Sequence, residues 1–284
     1  MRLMTTLALA STALLSACAV NSYPIELPAR PAKERVASVQ ARFDYAVVSS
    51  ATLTQFWEDG TAVVSSGELK LRMLNETEED LAVVGSFASE VEAARLRKAE
   101  RRAASGQAPA GPPEDEEHED GAAKLGAAEV TVAFEYWRAK NTTGPAPVVL
   151  VTPILGGGKE LARTNCRDFV NAGFHVILVW RGTRVLHRKW PPELIEIFLR
   201  RAVASRQALL DWACTQDEID SERLAAFGIS MGGILTSVLV GAEPRLHSVV
   251  IALAGGDLGG IIEVSEEGRL IKYREEQKKR IGLD

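Results

Sequence analysis

The residues Gly228 to Gly232, which read Gly-Ile-Ser-Met-Gly, constrain the fold of this chain more than any other feature. An apolar run at 224–227 precedes them and a second apolar run at 234–240 follows them. These runs predict a buried strand and then a helix, joined by a turn too tight for a Cβ close to the serine backbone. Such a turn exposes the hydroxyl of Ser230 at the end of the strand, and this makes Ser230 a candidate nucleophile.

From residue 129 onward, apolar strands alternate with helical stretches. We expect strands at 130–137, 148–152, 174–180, 224–227 and 248–253, with helices at 159–172, 192–214 and 263–280. Helical crossovers between apolar strands predict an α/β fold with a mostly parallel, doubly wound sheet. Ligands of such sheets bind beyond the carboxyl ends of the strands, which is where Ser230 is expected.

The part of the chain before residue 129 has a different composition. Short apolar runs within 43–74, separated by turn residues, predict N-terminal antiparallel strands. Residues 88–128 form a charged, low-complexity insertion, with a helical stretch at 90–104 and then a disordered segment rich in Pro, Gly and acid. The insertion is either a solvated surface segment or an arm that binds a partner.

The N-terminus has the pattern of a targeting segment. Arg2 precedes an apolar run at 3–15, and small residues then lead to Cys18. This pattern predicts a signal peptide at 1–18, similar to the bacterial lipoprotein type in which the cysteine is lipidated, or else an ordinary signal peptide with an incidental cysteine. Residues 19–42, with three prolines, read as a tether between the lipid and a domain at 43–284. Because Ala19 is not aspartate, the resemblance implies an outer-membrane anchor facing the periplasm.

Between about residue 129 and residue 262 the chain resembles the α/β-hydrolase superfamily. The segment 148–158, a strand followed by three glycines, is similar to the strand and loop that supply part of an oxyanion hole. The segment 228–233 is similar to the nucleophile elbow of that superfamily, and Gly255-Gly256-Asp257 follows the next strand. The resemblance implies a serine hydrolase that cleaves a carboxylic ester or related acyl substrate through an acyl-enzyme at Ser230.

The resemblance also assigns further site residues. Met231, directly after the nucleophile, is expected to supply one oxyanion N–H, and Leu155 or Gly156 the second, unless the glycines form only a turn. Asp257 is a candidate acid at a position that some members use, or it caps the following segment. We expect neither a cofactor nor a metal ion.

The general base is the difficult part of this assignment. His175 and His247 stand at or before the start of their strands, so they are expected at the edge of the sheet opposite Ser230. His118 lies in the insertion, and only His187, in a basic loop after a strand, lies on the correct edge, where it is either the base or a surface loop histidine. It precedes the serine, against the order of the superfamily, in which the acid and the histidine follow the nucleophile.

Two interpretations of the missing base stay open. The chain could be a C-terminally truncated hydrolase, weak or inactive as written, with a lid helix beginning at 263–284 and an open apolar sheet edge. It could instead be a non-catalytic, surface-anchored binding protein that uses the same fold. The net charge of −5 argues against a nucleic-acid partner. Cys166 and Cys214 could pair or remain separate buried thiols.

Overall fold

Seven strands form one sheet in the computed structural model, which describes residues 41–104, 129–154, 159–180 and 190–282. The strands are β1 (Tyr45–Glu58), β2 (Ala62–Met73), β3 (Glu129–Ala139), β4 (Ala146–Thr152), β5 (His175–Val179), β6 (Ile219–Ile229) and β7 (Leu246–Ala252). The helices of the described residues are α1 (Glu78–Ala104), α2 (Lys159–Asn171), α3 (Pro192–Ala213), α4 (Met231–Ala242), α5 (Leu258–Val264) and α6 (Gly268–Arg280).

The sheet has the order β1-β2-β3-β5-β4-β6-β7. β1, β2, β3 and β5 pair antiparallel in succession, whereas β5, β4, β6 and β7 form a parallel half. This topology confirms the predicted α/β fold of the α/β-hydrolase type, including the N-terminal antiparallel strands. The carboxyl ends of β4, β6 and β7 lie side by side, since Thr152 pairs with Gly228 and Ile229 pairs with Ala252.

Helices cover both faces of the parallel half. Val149 and Val151 of β4 pack in one cluster with Ala162, Cys166 and Val170 of α2. The alternate residues of the same strand, Val148 and Leu150, pack in a second cluster with α3 and α4. Because successive side chains of a strand point to opposite faces, the two clusters lie on opposite sides of the sheet. Every residue of β5 is buried, which explains why this strand is apolar without alternation.

Several boundaries differ from the sequence-based expectation. The helical stretch expected at 90–104 is part of helix α1, which begins earlier, at Glu78, and residues 105–128 lie outside the described residues. The single helix expected at 263–280 is instead two helices, α5 and α6. The break is explained by Glu267, whose carboxylate accepts hydrogen bonds from the N–H groups of Arg269 (2.9 Å) and Leu270 (3.2 Å) and so caps α6.

The predicted signal peptide at 1–18, most of the tether at 19–42 and Cys18 lie outside the described residues. Within the described part of the chain, a 3-10 turn at Ala41–Phe43 precedes β1, and no helix has the length and apolar character needed to cross a bilayer. Cys166 and Cys214 are both free thiols, which settles the open question of their pairing. Burial in the α2 cluster raises the pKa of Cys166 above its usual range.

Candidate active site

Ser230 occupies the sharp turn between β6 and α4. Its backbone has φ 54° and ψ −122°, and its side chain is exposed. A positive φ is strained for a residue with a side chain, and such strain is typical of functional sites. The N–H of Ser230 donates to the carbonyl of Ala252 at 2.9 Å, which ties the turn to the end of β7. The predicted elbow geometry is therefore present, with the hydroxyl at the carboxyl edge of the sheet.

The glycines around Ser230 are required by close backbone contacts. A Cβ on Gly228 would lie 2.6 Å from the carbonyl carbon of Gly232 and would also meet the hydroxyl of Thr236. A Cβ on Gly232 would lie 2.6 Å from the carbonyl oxygen of Pro153 and would also meet that of Thr152. Such distances are shorter than real Cβ contacts. The missing side chain of Gly228 lets the end of β6 pack against the start of α4, and that of Gly232 lets α4 pack against the end of β4.

The start of helix α4 supplies one side of an anion site. The carbonyl of Ser230 accepts from the N–H of Ile234 at 3.0 Å, so the helix begins with Met231. The N–H groups of the first helical turn have no acceptor within the helix, and the helix end carries a partial positive charge. The Met231 N–H is therefore suited to an oxyanion, while its side chain is buried beside Ile234 and Leu270. Leu155 and Gly156, the candidates for the second donor, lie outside the described residues.

Asp257 lies after β7, at the same edge of the sheet as Ser230. It is exposed, and its Oδ1 accepts a hydrogen bond from the N–H of Gly260 at 2.9 Å. The carboxylate thereby acts as the N-cap of α5, the capping role that was the alternative to a catalytic acid.

His175 performs a structural role at the opposite edge. Its ring is 1% exposed, its Nδ1 accepts from the N–H of Ala139 at 3.0 Å, and its Nε2 lies 3.1 Å from the carbonyl oxygen of Glu218. These partners require a proton on Nε2 and none on Nδ1. Burial of the ring lowers the pKa of His175, against the opposing effect of the Glu218 carbonyl.

His247 is exposed near the start of β7. The six residues from Leu224 to Ile229 of the neighbouring strand span about 17 Å, so neither His175 nor His247 can reach Ser230 directly. His187 lies outside the described residues. Among the described residues, no histidine lies at the edge of the sheet that carries Ser230.

Two features of the site were not anticipated from the sequence. Leu253 follows Ala252 with φ 52° and is 89% exposed, so a second strained residue stands beside the turn of Ser230. A small pocket beside Ile229 is lined mainly by apolar side chains, among them Pro153, Leu161 and Phe227. Nothing in the sequence predicts the positive φ of Leu253, because residues with bulky side chains rarely adopt this conformation.

A family model supports the superfamily assignment. Residues 163–256 match the model of the prolyl oligopeptidase family, and this range contains β5, α3, β6, the turn at Ser230 and β7. The match confirms the resemblance to the α/β-hydrolase superfamily over this third of the chain. A search of curated proteins gave no significant match.

Three solved structures that match this chain are distant from it in sequence. A protein described as a dienelactone hydrolase from Klebsiella pneumoniae is 23% identical over 45% of this chain and 57% of its own length, with a TM-score of 0.36. Acetyl xylan esterase 1 from Thermoanaerobacterium is 14% identical over 71% of this chain and 51% of its own length, with a TM-score of 0.41. An acetyl xylan esterase from Paenibacillus is 11% identical over 85% and 64% of the two chains, with a TM-score of 0.45. The chain thus spans between half and two thirds of the length of these proteins.

Proposed function

We propose that this protein is a serine hydrolase that cleaves a carboxylic ester or related acyl substrate through an acyl-enzyme at Ser230. The observation that carries the proposal is the strained, exposed conformation of Ser230 at the start of α4. A turn of this kind costs stability, and it places a hydroxyl, a helix N-terminus and a backbone N–H around one point at the sheet edge.

The chemistry follows from this arrangement. The Oγ of Ser230 attacks the acyl carbon, and its proton passes to a base and then to the departing alcohol. The N–H of Met231 stabilises the oxyanion of the tetrahedral intermediate, and one such donor is worth about 3 kcal/mol. Water then attacks the acyl-enzyme, releases the acid and restores the Ser230 hydroxyl.

The proposal requires a base from outside the described residues. His187 is our candidate, because it follows β5, whose carboxyl end lies at the same edge of the sheet as Ser230. Without a base close to Ser230, the same turn would serve a non-catalytic binding protein, and turnover would be weak or absent.

A fluorophosphonate probe on the purified protein tests the nucleophile and the base together. We expect covalent labelling of the wild type, no labelling of Ser230→Ala, slower labelling of His187→Gln, and wild-type labelling of the control His247→Gln. Labelling that persists in Ser230→Ala, or a wild type that is never labelled, would overturn the catalytic proposal. Unchanged labelling of His187→Gln would remove His187 as the base and leave the nucleophile in place.

We also propose that the protein is anchored in the bacterial outer membrane, facing the periplasm, through a lipid on Cys18. The support is the sequence pattern alone: a charged start, an apolar run at 3–15 and small residues before the cysteine. Intact-mass measurement of the mature protein is expected to give a chain that begins at Cys18 and carries acyl groups. A mature chain that begins elsewhere, or a Cys18→Ser variant of unchanged mass and location, would contradict the anchor.

A further inference from the structure

Arg206 lies in an unusual place for a charged side chain. It is on helix α3, is 2% exposed, and is the largest of the fully buried side chains in the described chain. The guanidinium is charged at any accessible pH, so its burial is costly unless hydrogen bonds compensate for the lost water. A charged side chain buried at such a position indicates that its hydrogen bonds have a specific structural role.

The guanidinium is directed to the end of strand β4. Its Nε donates to the Oγ1 of Thr152 at 3.0 Å, and its Nη1 donates to the carbonyl of Ala202 on its own helix at 2.7 Å. Thr152 is the last residue of β4 and is 1% exposed. The planar fork of arginine holds its partners in a fixed geometry, so the helix and the strand end are joined at this point.

Thr152 is also in contact with the turn that carries the nucleophile. It pairs with Gly228 across the sheet, and its carbonyl lies against the Cα of Gly232, where a Cβ has no room. On its other side Thr152 leads directly into Pro153 and Ile154, at the start of the loop expected to hold the second oxyanion donor. A displacement of Thr152 would therefore change the distance between the end of β4 and the turn of Ser230.

We propose that Arg206 is a positioning residue, which holds Thr152 and thereby sets the spacing between the end of β4 and the turn of Ser230. This inference rests on the proposed hydrolase function, because the spacing matters for catalysis only if an oxyanion forms there. Small displacements of catalytic groups are expensive, since a shift of about 1 Å costs on the order of a hundredfold in rate. Arg206 acts through Thr152 and does not itself contact the substrate.

The experiment compares four variants with a matched control on the same helix. Arg206→Met and Thr152→Val each remove one side of the hydrogen bond, their double variant removes both, and Arg206→Lys keeps the charge without the fork. The control is Gln207→Met, because Gln207 is 1% exposed and its single described bond, from Nε2 to the carbonyl of Ala242 at 3.0 Å, holds the far end of α4. Thermal unfolding of each variant reports the general loss of stability.

Hydrogen exchange provides a readout that does not depend on activity. We expect faster exchange of the amides at 150–152 and 231–233 in Arg206→Met and Thr152→Val, and no change there in Gln207→Met. Equal exchange of these amides in wild type and Arg206→Met, or an equal increase in Gln207→Met, would overturn the positioning role.

Ester turnover measures the consequence for catalysis. We expect kcat to fall by about tenfold or more in Arg206→Met and Thr152→Val with KM little changed, with no additional loss in the double variant and partial recovery in Arg206→Lys. Additive losses in the double variant, or an equal loss of kcat in Gln207→Met, would contradict the inference. A wild type without turnover or probe labelling would instead refute the hydrolase function, and the exchange result would still decide whether Arg206 fixes the end of β4.

Discussion

Backbone strain in the described chain is concentrated at two residues that are not glycine, Ser230 and Leu253. They are linked, because the N–H of Ser230 donates to the carbonyl of Ala252, the residue before Leu253. Each such conformation costs about 1–3 kcal/mol, which the surrounding packing must offset. The close contacts at Gly228 and Gly232 are part of this packing, and they offer a direct test of how tightly the turn is held.

Replacement of Gly232 by alanine is expected to destabilise the protein and distort the turn. The added Cβ would meet the carbonyl groups of Thr152 and Pro153, and overpacking of this kind costs about 3 kcal/mol. Gly241→Ala is the matched control, since Gly241 is in the same helix with no atom near its missing Cβ, and alanine there should add about 0.5–1 kcal/mol of stability. Denaturant unfolding measures both. Equal and small effects would show that the turn is less closely packed than described.

The burial of the His175 ring predicts that the protein loses stability in weak acid. Burial lowers its pKa in the folded protein below the ordinary value of 6.5, so the unfolded chain binds the proton more readily. The stabilising contribution is therefore complete above about pH 6.5 and is lost as the pH falls from there toward the lower, folded-state pKa. Protonation would also place a second N–H on Nδ1, facing the N–H of Ala139.

The measurement is denaturant unfolding between pH 7.5 and pH 5.5. We expect the free energy of unfolding of the wild type to decrease over this range and that of His175→Asn to decrease less, because asparagine keeps an acceptor but does not titrate. The exposed His247 serves as the control, and His247→Asn should keep the wild-type slope. Parallel slopes for wild type and His175→Asn would contradict the assignment of the pH dependence to this ring.

At the scale of elements, the sequence predicted strands and helices well wherever the apolar pattern was continuous. β4, β5 and α2 differ from the expected ranges by two residues or fewer at each end. β6 is longer than expected. Its first half, Ile219 to Arg223, is mostly polar and pairs with β4 only at Ile219, so the apolar pattern did not reveal it as a strand. Side-chain caps explain the other errors in the expected helix boundaries. Glu267 caps the start of α6. The Oγ1 of Thr77 accepts a hydrogen bond from the N–H of Asp80, so α1 begins earlier than expected.

For the candidate site, the sequence predicted the turn at Ser230, which the structure contains, but assigned no role to Arg206. A signal was present, since Arg206 occupies the apolar stripe that Ala202, Leu209 and Leu210 also share on α3, at the spacing of one helical face. An arginine on such a stripe usually packs its apolar stem against the protein and extends its charged end into solvent. Its partner Thr152 could not be identified, because the contact joins residues far apart in sequence and only the packed fold brings them together.

A buried ion pair joins α3 to the residues just before α1. Arg201 of α3 binds Glu76, just before α1, through Nε (2.5 Å) and Nη2 (2.8 Å), and both side chains are 4% exposed. Removal of one partner from a buried pair leaves an uncompensated charge, so Glu76→Gln is expected to cost about 3 kcal/mol. Glu129→Gln, which breaks the exposed Arg72–Glu129 pair, should cost less than about 1 kcal/mol. Similar losses in the two variants, measured by denaturant unfolding, would contradict the importance of burial.

For the whole molecule, the two edges of the parallel half differ in character. The amino edge is held by buried polar groups, with Tyr136 donating to the Glu218 carboxylate at 3.0 Å and His175 beside the Glu218 carbonyl. The carboxyl edge carries the strained and exposed residues, Ser230 and Leu253. The rigid edge thus supports the strands whose opposite ends carry the proposed chemistry, and Arg206 extends this support to the carboxyl end of β4.

The edge of the sheet formed by β7 predicts self-association of the 284-residue chain. Within the described residues β7 pairs only with β6, and it exposes Val250 (52%) and Ile251 (42%). An apolar strand with unpaired backbone groups is a template for edge-to-edge pairing, so we expect concentration-dependent association in sedimentation velocity. Val250→Lys should reduce it, since a charge on an edge strand opposes pairing. Val264→Lys is the matched control, because Val264 is exposed on helix α5 and offers no strand edge. A wild type that stays monomeric, or equal effects of the two lysines, would show that β7 is not the associating edge.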